Sequence, residues 1–409
     1  MLIASGVSAT LCSIIFTFII TLHFLCIAFL FRFGAVLDSM RFAATLVIIA
    51  TAFAALASAG AACPYAAAAA GELVNDETFI RAAFAKFQKD HVKLYASNGS
   101  AETRYQFFRS NYLRALELNQ KLNAERGTTG LKAHGVTEFM DLSPEEMRNR
   151  MGYVRSNADL RRMFYDSAKP APADSNGEPT EFNWPAQAGV ETRARQQGDC
   201  GSCWAYSAVT AIESAVGVRD RNNTKTSCLS PQQLVDCDPV SHGCRGGDLP
   251  PAFNYLKGFG GSISEKDYPY TGVGGSCKAK KSAIDTDVLG FEWAIKPCEF
   301  GGCDKQSESD LSKRIAERGP AAICVAATND WFTYTGPDAY SADCANDYYS
   351  LNHCITLDAL ERDAKDGKLY WYARNSWGDD WGVRGGFIKL AYGVNRCGLA
   401  DEAAFPVLG

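Results

Sequence analysis

Apolar and polar positions follow several different rhythms along this chain. From Leu11 to Phe31 no Asp, Glu, Lys or Arg interrupts the apolar run, which is long enough to cross a bilayer. Met40 and Arg41 then open a second run, Phe42 to Leu56, that ends in Ala57-Ser58-Ala59. A basic start, an apolar middle and a small-residue cleavage site make a secretory signal peptide. We read Met40 as the functional start, cleavage after Ala59, and residues 1–39 as an upstream extension; a membrane anchor at 11–31 is the alternative. Farther on the rhythm becomes helical. Phe79, Ala83, Phe84 and Phe87 share one face of a stretch from Asp76 to Tyr95. Tyr105, Phe108, Tyr112 and Leu116 do the same from Arg104 to Asn119, and the polar loop Ala96–Ala101 separates the two predicted helices. After Met163 the pattern dissolves into AKPAPADSNGEPT, a linker composition open to proteolysis. Beyond it, Cys203 to Val218 reads as a helix with Trp204, Ala208 and Ile212 on one face. Ala321–Ala326 and Tyr370–Arg374 are short apolar runs between turn residues and read as strands. No internal repeat is visible. The expected organisation is a helical unit over 60–163, a linker with a processing site over 164–179, and an α+β unit over 180–409.

Composition adds limits. With 47% hydrophobic and 21% charged residues in 409, the chain is an ordinary globular one with room for more than one folding unit. From Gly177 onward 31 Asp+Glu face 23 Lys+Arg, whereas residues 1–176 carry 15 against 18. The two parts can attract each other, and neither is basic enough for nucleic acid. Of the 15 cysteines, 12 lie from Cys200 onward, in a chain routed to the secretory pathway, where disulfides persist. A lysosome-like compartment or the extracellular space is the expected destination. Asn98-Gly99-Ser100 and Asn222-Asn223-Thr224 match the glycosylation acceptor pattern.

The chemistry centres on QQGDCGSCWAYSA, Gln196 to Ala208, where Cys200 and Cys203 stand in a C-x-x-C spacing. A redox dithiol needs a strand before the helix, but ETRARQQGD is polar. A zinc site needs a second close pair of ligands, and no paired histidine exists. In the third reading one cysteine is a nucleophile and the other is structural. A thiol attacks as thiolate and needs a lowered pKa and a base, and Cys203 opens a helix whose N-terminus carries partial positive charge. Among five histidines, His353 in SLNHCITL lies at the head of a strand-like run, with Asn375 in YARNSWGDDWG 22 residues later. Taken alone, His353 also fits a satisfied histidine at a strand end.

CGSCW, a histidine about 150 residues on, and NSWG together resemble the signature of the papain-like cysteine peptidases, papain and the cathepsins among them. The resemblance is to the cathepsin L-like members and runs from about Asp76 to the C-terminus. It implies a two-domain α+β fold, with a helical domain and a β-barrel-like domain, behind a small helical propeptide. It implies Cys203 as nucleophile and His353 as its partner in a thiolate–imidazolium pair. Asn375 would hold the imidazole and Trp377 would shield that bond. Gln197 and the Cys203 N–H would form the oxyanion hole, where each donor is worth roughly 10²–10³ in rate. Gly201, Gly246 and Gly247 would line the cleft. By the same resemblance Cys200 pairs with Cys244, Cys237 with Cys277 and Cys344 with Cys397. Cys298 and Cys303 sit in an insertion, KPCEFGGC, where closing a local loop is an open expectation.

Arg104, Phe108, Asn111, Asn119 and the stretch GVTEFMD (135–141) fit the family's inhibitory propeptide; Ser100, Ala115 and Thr137 depart from its usual residues. Acid would weaken the complex by protonating Asp and Glu. The implied S2 pocket comprises Leu249, Cys324, Cys354 and, at its far end, Glu402, with Asp248 near the rim; the plain alternative makes Glu402 a surface acid. Cys354 stands where Gly or Ala is usual and Asn352 where Asp is frequent. Cys324 and Cys354 are read as two buried free thiols, with a bridge as the alternative. The short Cys237–Cys244 turn leaves no room for an occluding loop, which favours an endopeptidase. Expected partners are peptide and protein substrates, the chain's own propeptide as inhibitor and cystatin-like inhibitors. A monomer is expected, with no metal or organic cofactor. The rivals are a silent peptide-binding relative and a C-x-x-C oxidoreductase.

Overall fold

The computed structural model describes residues 73–167, 177–187, 190, 193–220, 228–298 and 306–409. The predicted anchor, the signal peptide, the acceptor Asn222 and most of the linker lie outside these residues. Among the described residues no helix is long and apolar enough to cross a membrane.

The first helix, α1 (Glu77–Asp90), starts where the Asp76 carboxylate accepts the Phe79 N–H at 3.0 Å, and it buries Phe79, Ile80, Phe84 and Phe87. Helix α2 spans Asn98–Arg126, seven residues past the predicted end. Ser97 and Ser100 form a reciprocal capping box, which pulls most of the expected loop into the helix. Gly127, at φ +61°, closes the other end. The chain then returns along α2 and is pinned by polar side chains. Asn119 takes the N–H groups of Ala133 and His134 at 3.0 Å and donates to the His134 carbonyl at 2.7 Å. Asn111 donates to the Met140 and Leu142 carbonyls. Arg104 grips Glu146 with two bonds of 2.6 and 2.7 Å. Glu146 belongs to the short helix α3 (Pro144–Asn149), where it also completes a capping box with Ser143. Helix α4 (Ala158–Ser167) continues four residues into the expected linker, because Phe164 is buried against Tyr153 and Trp204.

The C-terminal unit combines helices α5 (Cys203–Arg219), α6 (Pro231–Cys237), α7 (Leu249–Phe259) and α8 (Glu308–Arg318) with an antiparallel sheet. Its strands are β1 (Phe182–Asn183), β2 (Gly261–Ile263), β3 (Ile284–Trp293), β4 (Ala321–Val325), β5 (His353–Arg362), β6 (Leu369–Arg374), β7 (Phe387–Ala391) and β8 (Ala403–Leu408). The order is β2-β3-β8-β4-β5-β6-β7, with β1 on β5. Two apolar clusters form. One gathers Trp204, Val209, Ile212, Leu249 and Phe253 around the helices. The other collects Trp331, Trp371, Trp377 and Trp381 on the sheet side. The β4–β5 register sets Cys324 opposite Cys354, with Cα atoms 4.0 Å apart. That corrects the expectation of two free thiols: facing cysteines on neighbouring strands are within bonding reach, and the structure joins them. The structure also bridges Cys200 to Cys244, Cys237 to Cys277 and Cys344 to Cys397. Cys298 is disulfide-bonded as well, whereas Cys303 lies outside the described residues.

Candidate active site

Cys203 is the first residue of α5 and is fully buried. His353 is the first residue of β5, and Asn375 directly follows β6. Antiparallel pairing of β5 with β6 brings the two together, so that His353 Nε2 and Asn375 Oδ1 stand 2.8 Å apart. The indole of Trp377 lies beside the imidazole, centroids 4.9 Å apart, and stacks on Phe332 at 4.2 Å. His353 Nδ1 has no hydrogen-bond partner among the described residues. Burial pushes the Cys203 thiol up to about 11, against N–H groups of Cys354 and Gly152 directed at the sulfur. Burial likewise pulls the His353 imidazole down to about 4, opposed by its bond to Asn375.

The N-terminal segment provides the cover. The Gly152 N–H points at the Cys203 sulfur from 3.2 Å. The Gln197 Nε2 donates to the carbonyls of Arg150 and Cys200, both at 2.8 Å, and Gln197 Oε1 accepts from Ser376 Oγ at 2.6 Å. The chain then pairs with the cleft: Tyr153 N–H to the Asn352 carbonyl, Val154 N–H to that of Gly247, and Gly247 N–H to that of Gly152. This contact demands glycine. A Cβ on Gly152 would sit 1.8 Å from the Gly201 oxygen, and one on Gly247 would sit 2.5 Å from the Trp204 ring. Gly246 lies equally close to the segment, facing Val154.

A second contact lies where the helices meet β8. Tyr153, Leu249, Cys324 and Cys354 share one apolar cluster. The Tyr153 hydroxyl donates to Glu402 Oε2 at 2.8 Å, and Arg161 reaches Glu402 at 3.3 Å and Asp248 at 3.2 Å under the ring of Tyr348. Glu402 is fully buried, so it is not a surface acid. Burial pushes its carboxyl up, and the adjacent Arg161 guanidinium acts in the opposite sense. Asp248, expected near the rim, is buried too: it caps α7 and accepts from Ser156 and Arg161.

Residues 178–407 match the papain family of cysteine proteases. The chain belongs to that family. Residues 84–147 match the cathepsin propeptide inhibitor domain. Cysteine proteinase 15A of Pisum sativum is 33% identical over 77% of this chain and 83% of its own. A KDEL-tailed cysteine endopeptidase of Arabidopsis thaliana is 30% identical over 78% and 84%. The digestive procathepsin L2 proteinase of Tenebrio molitor superposes with a TM-score of 0.69 at 29% identity, covering 80% of this chain and all of that one. The protein is thus a cysteine endopeptidase made as a zymogen. It has the papain-like α+β fold, and its propeptide is its intramolecular inhibitor.

The charge asymmetry of the sequence is realised between propeptide and peptidase unit. Arg114 pairs with Asp330, Lys121 with Asp343, Arg150 with Asp199, and Arg161 with Asp248 and Glu402. The aromatic ring of Phe139, from GVTEFMD, packs edge-on against Phe332 and Trp377. Gly152, Tyr153, Arg161 and Ser376 are among the residues at the site that the sequence reading did not single out. Ser376 carried a signal, since it sits inside NSWG. The other three lie in polar sequence with no apolar period to single them out.

Proposed function

We propose that Cys203 is the nucleophile of this papain-family zymogen and His353 its proton partner. With the propeptide removed, water and the α5 N-terminus favour the thiolate, and the proton passes to His353 Nδ1. The thiolate attacks the substrate carbonyl carbon, and the resulting oxyanion is held by Gln197 Nε2 and the Cys203 N–H. His353 then protonates the leaving amine, and water hydrolyses the acyl-enzyme with His353 as base. Asn375 keeps the imidazole oriented, and Trp377 keeps water from their bond. Ser376 fixes the Gln197 amide so that its N–H groups face the cleft.

One observation carries this reading. The propeptide backbone presents the Arg150 carbonyl to Gln197 Nε2 and the Gly152 N–H to the Cys203 sulfur, at 2.8 and 3.2 Å. A peptide already occupies the place where a scissile bond has to lie. Gly201, Gly246 and Gly247 line that place, and Leu249, the Cys324–Cys354 bridge and Glu402 form the S2 pocket. An arginine held between Glu402, Asp248 and Tyr348 in the zymogen supports acceptance of basic as well as apolar P2 side chains. The propeptide occupies 60–163 with its tail running through α4, the linker carries the processing cut, and the peptidase unit begins near 180. The KDEL-tailed relative supports a secretory or vacuolar location.

The test is hydrolysis by acid-activated protein of peptides that differ only in Phe or Arg at P2. Cys203→Ala abolishes cleavage of both, and Cys200→Ala impairs folding. Retained cleavage in Cys203→Ala rejects the nucleophile. Absence of P2 Arg turnover rejects the role of Glu402.

A further inference from the structure

The residues on either side of His353, Asn352 and Cys354, are both tied to the strand opposite. The Asn352 N–H donates to the Val325 carbonyl at 3.0 Å. Its side chain closes a two-point clasp on Ala327, with Oδ1 accepting the N–H and Nδ2 donating to the carbonyl, each at 2.9 Å. His353 lies opposite Val325 in the register, and Cys354 lies opposite Cys324, to which it is covalently joined. Three consecutive residues are thus held by β4 and its continuation. The His353 ring itself has one hydrogen bond, to Asn375, while Nδ1 has no partner among the described residues. The ring sits on the first residue of a strand, where a backbone ordinarily frays. Its place relative to Cys203 is therefore set by the backbone of 352–354.

We propose that the Asn352 clasp and the Cys324–Cys354 bridge form a bracket that positions His353 for proton exchange with Cys203. Asn352, Cys324 and Cys354 are positioning residues. The bracket also fixes the Cys354 N–H that faces the Cys203 sulfur. The site then has opposite thiol requirements: Cys203 must be reduced, and its neighbours must stay oxidised. The inference rests on the assignment of Cys203 and His353 above.

The test uses full-length protein activated in acid, comparing wild type with Cys324→Ala/Cys354→Ala. Three quantities are measured: kcat and KM for one peptide, and the rate of inactivation by iodoacetamide from pH 3 to 9, which follows the thiolate. Small misplacements of a reacting group cost large factors in rate, so the expected result is a fall of about tenfold in kcat and in the inactivation rate at pH 5; KM is free to change because the bridge lines S2, and iodoacetamide, which has no P2 group, reads the Cys203–His353 pair alone. A lower Tm with unchanged kcat and an unchanged inactivation profile makes the bridge merely structural and overturns the proposal. If the double variant does not fold, Asn352→Ala keeps the bridge and is read the same way. Asn352→Asp, which keeps the acceptor and loses the donor, is expected to fall between wild type and Asn352→Ala. An unchanged profile in the Asn352 variants overturns the bracket. Hydrolysis surviving in Cys203→Ala overturns instead the assignment beneath it.

Discussion

Replacing His134 by Phe removes one titrating group from the contact between propeptide and peptidase unit. His134 is buried, donates or accepts at Nδ1 with Thr333 Oγ1 at 2.8 Å, and leaves Nε2 without a hydrogen-bond partner among the described residues. Its ring lies between Tyr334 and Tyr340, near the Arg114–Asp330 pair. Burial pulls its pKa from 6.5 down to about 4; Asp330 and Arg114 act in opposite senses. The sign follows from linkage: the docked form is the neutral ring, so docking has its full strength above pH 6.5 and loses it as pH falls through 4. With those two values, protonation weakens docking by about 2 kcal/mol at pH 5 and about 3 kcal/mol at pH 4, or roughly 30-fold and 150-fold in the opening equilibrium. In His134→Phe the lost Thr333 bond costs about 1 kcal/mol at every pH, but this share of the acid dependence disappears. The assay is hydrogen exchange at the Tyr153 and Val154 amides, whose acceptors are the Asn352 and Gly247 carbonyls, in Cys203→Ala zymogen, corrected for intrinsic exchange, with and without His134→Phe. The opening energy should fall between pH 7 and pH 5 by about 2 kcal/mol more in the protein that keeps His134. The titration of Glu402 is common to both proteins and cancels. Parallel pH dependences in the two would refute the argument.

Other expectations can be checked separately. Gly152→Ala should cost the propeptide its hold, because a Cβ there would meet the Gly201 oxygen at 1.8 Å; activation at pH 6 should become faster, and unchanged activation would count against the close approach. Arg104→Ala removes both bonds to Glu146, whose carboxyl that guanidinium holds down near about 2, and should lower the propeptide's stability by about 1–2 kcal/mol in urea unfolding. That loss should fade as pH falls from 4.5 toward 2, where Glu146 becomes protonated. Ser376→Ala frees the Gln197 amide to rotate and should lower kcat by about tenfold with little change in KM. Glu402→Gln should reduce kcat/KM for P2 Arg by tenfold or more while sparing P2 Phe, since a charge-assisted bond is lost.

The sequence carried the proposed chemistry through its resemblance to the papain-like peptidases. Cys203, His353 and NSWG match the family's motifs in type and order, and the resemblance is what gives them the roles proposed above. The apolar period located α1, the middle of α2, α5, β4 and β6. It missed the true start of α2, because a Ser97–Ser100 capping box looks like loop composition. It gave no sign that helix α4 runs past Met163, because Phe164 is buried in a cluster with residues brought in from elsewhere in the chain. The tertiary structure decided what pairs with what. Cys324 and Cys354 are 30 residues apart, and only the β4–β5 register makes them face each other. Glu402 reads as one more acid near the C-terminus until β8 carries it beneath Tyr153 and Arg161. His134 is an unremarked histidine until Thr333, Tyr334 and Tyr340 enclose it. Motifs survive in sequence because their chemistry needs particular residues side by side. Burial, register and pKa arise from neighbours that the fold brings in from elsewhere.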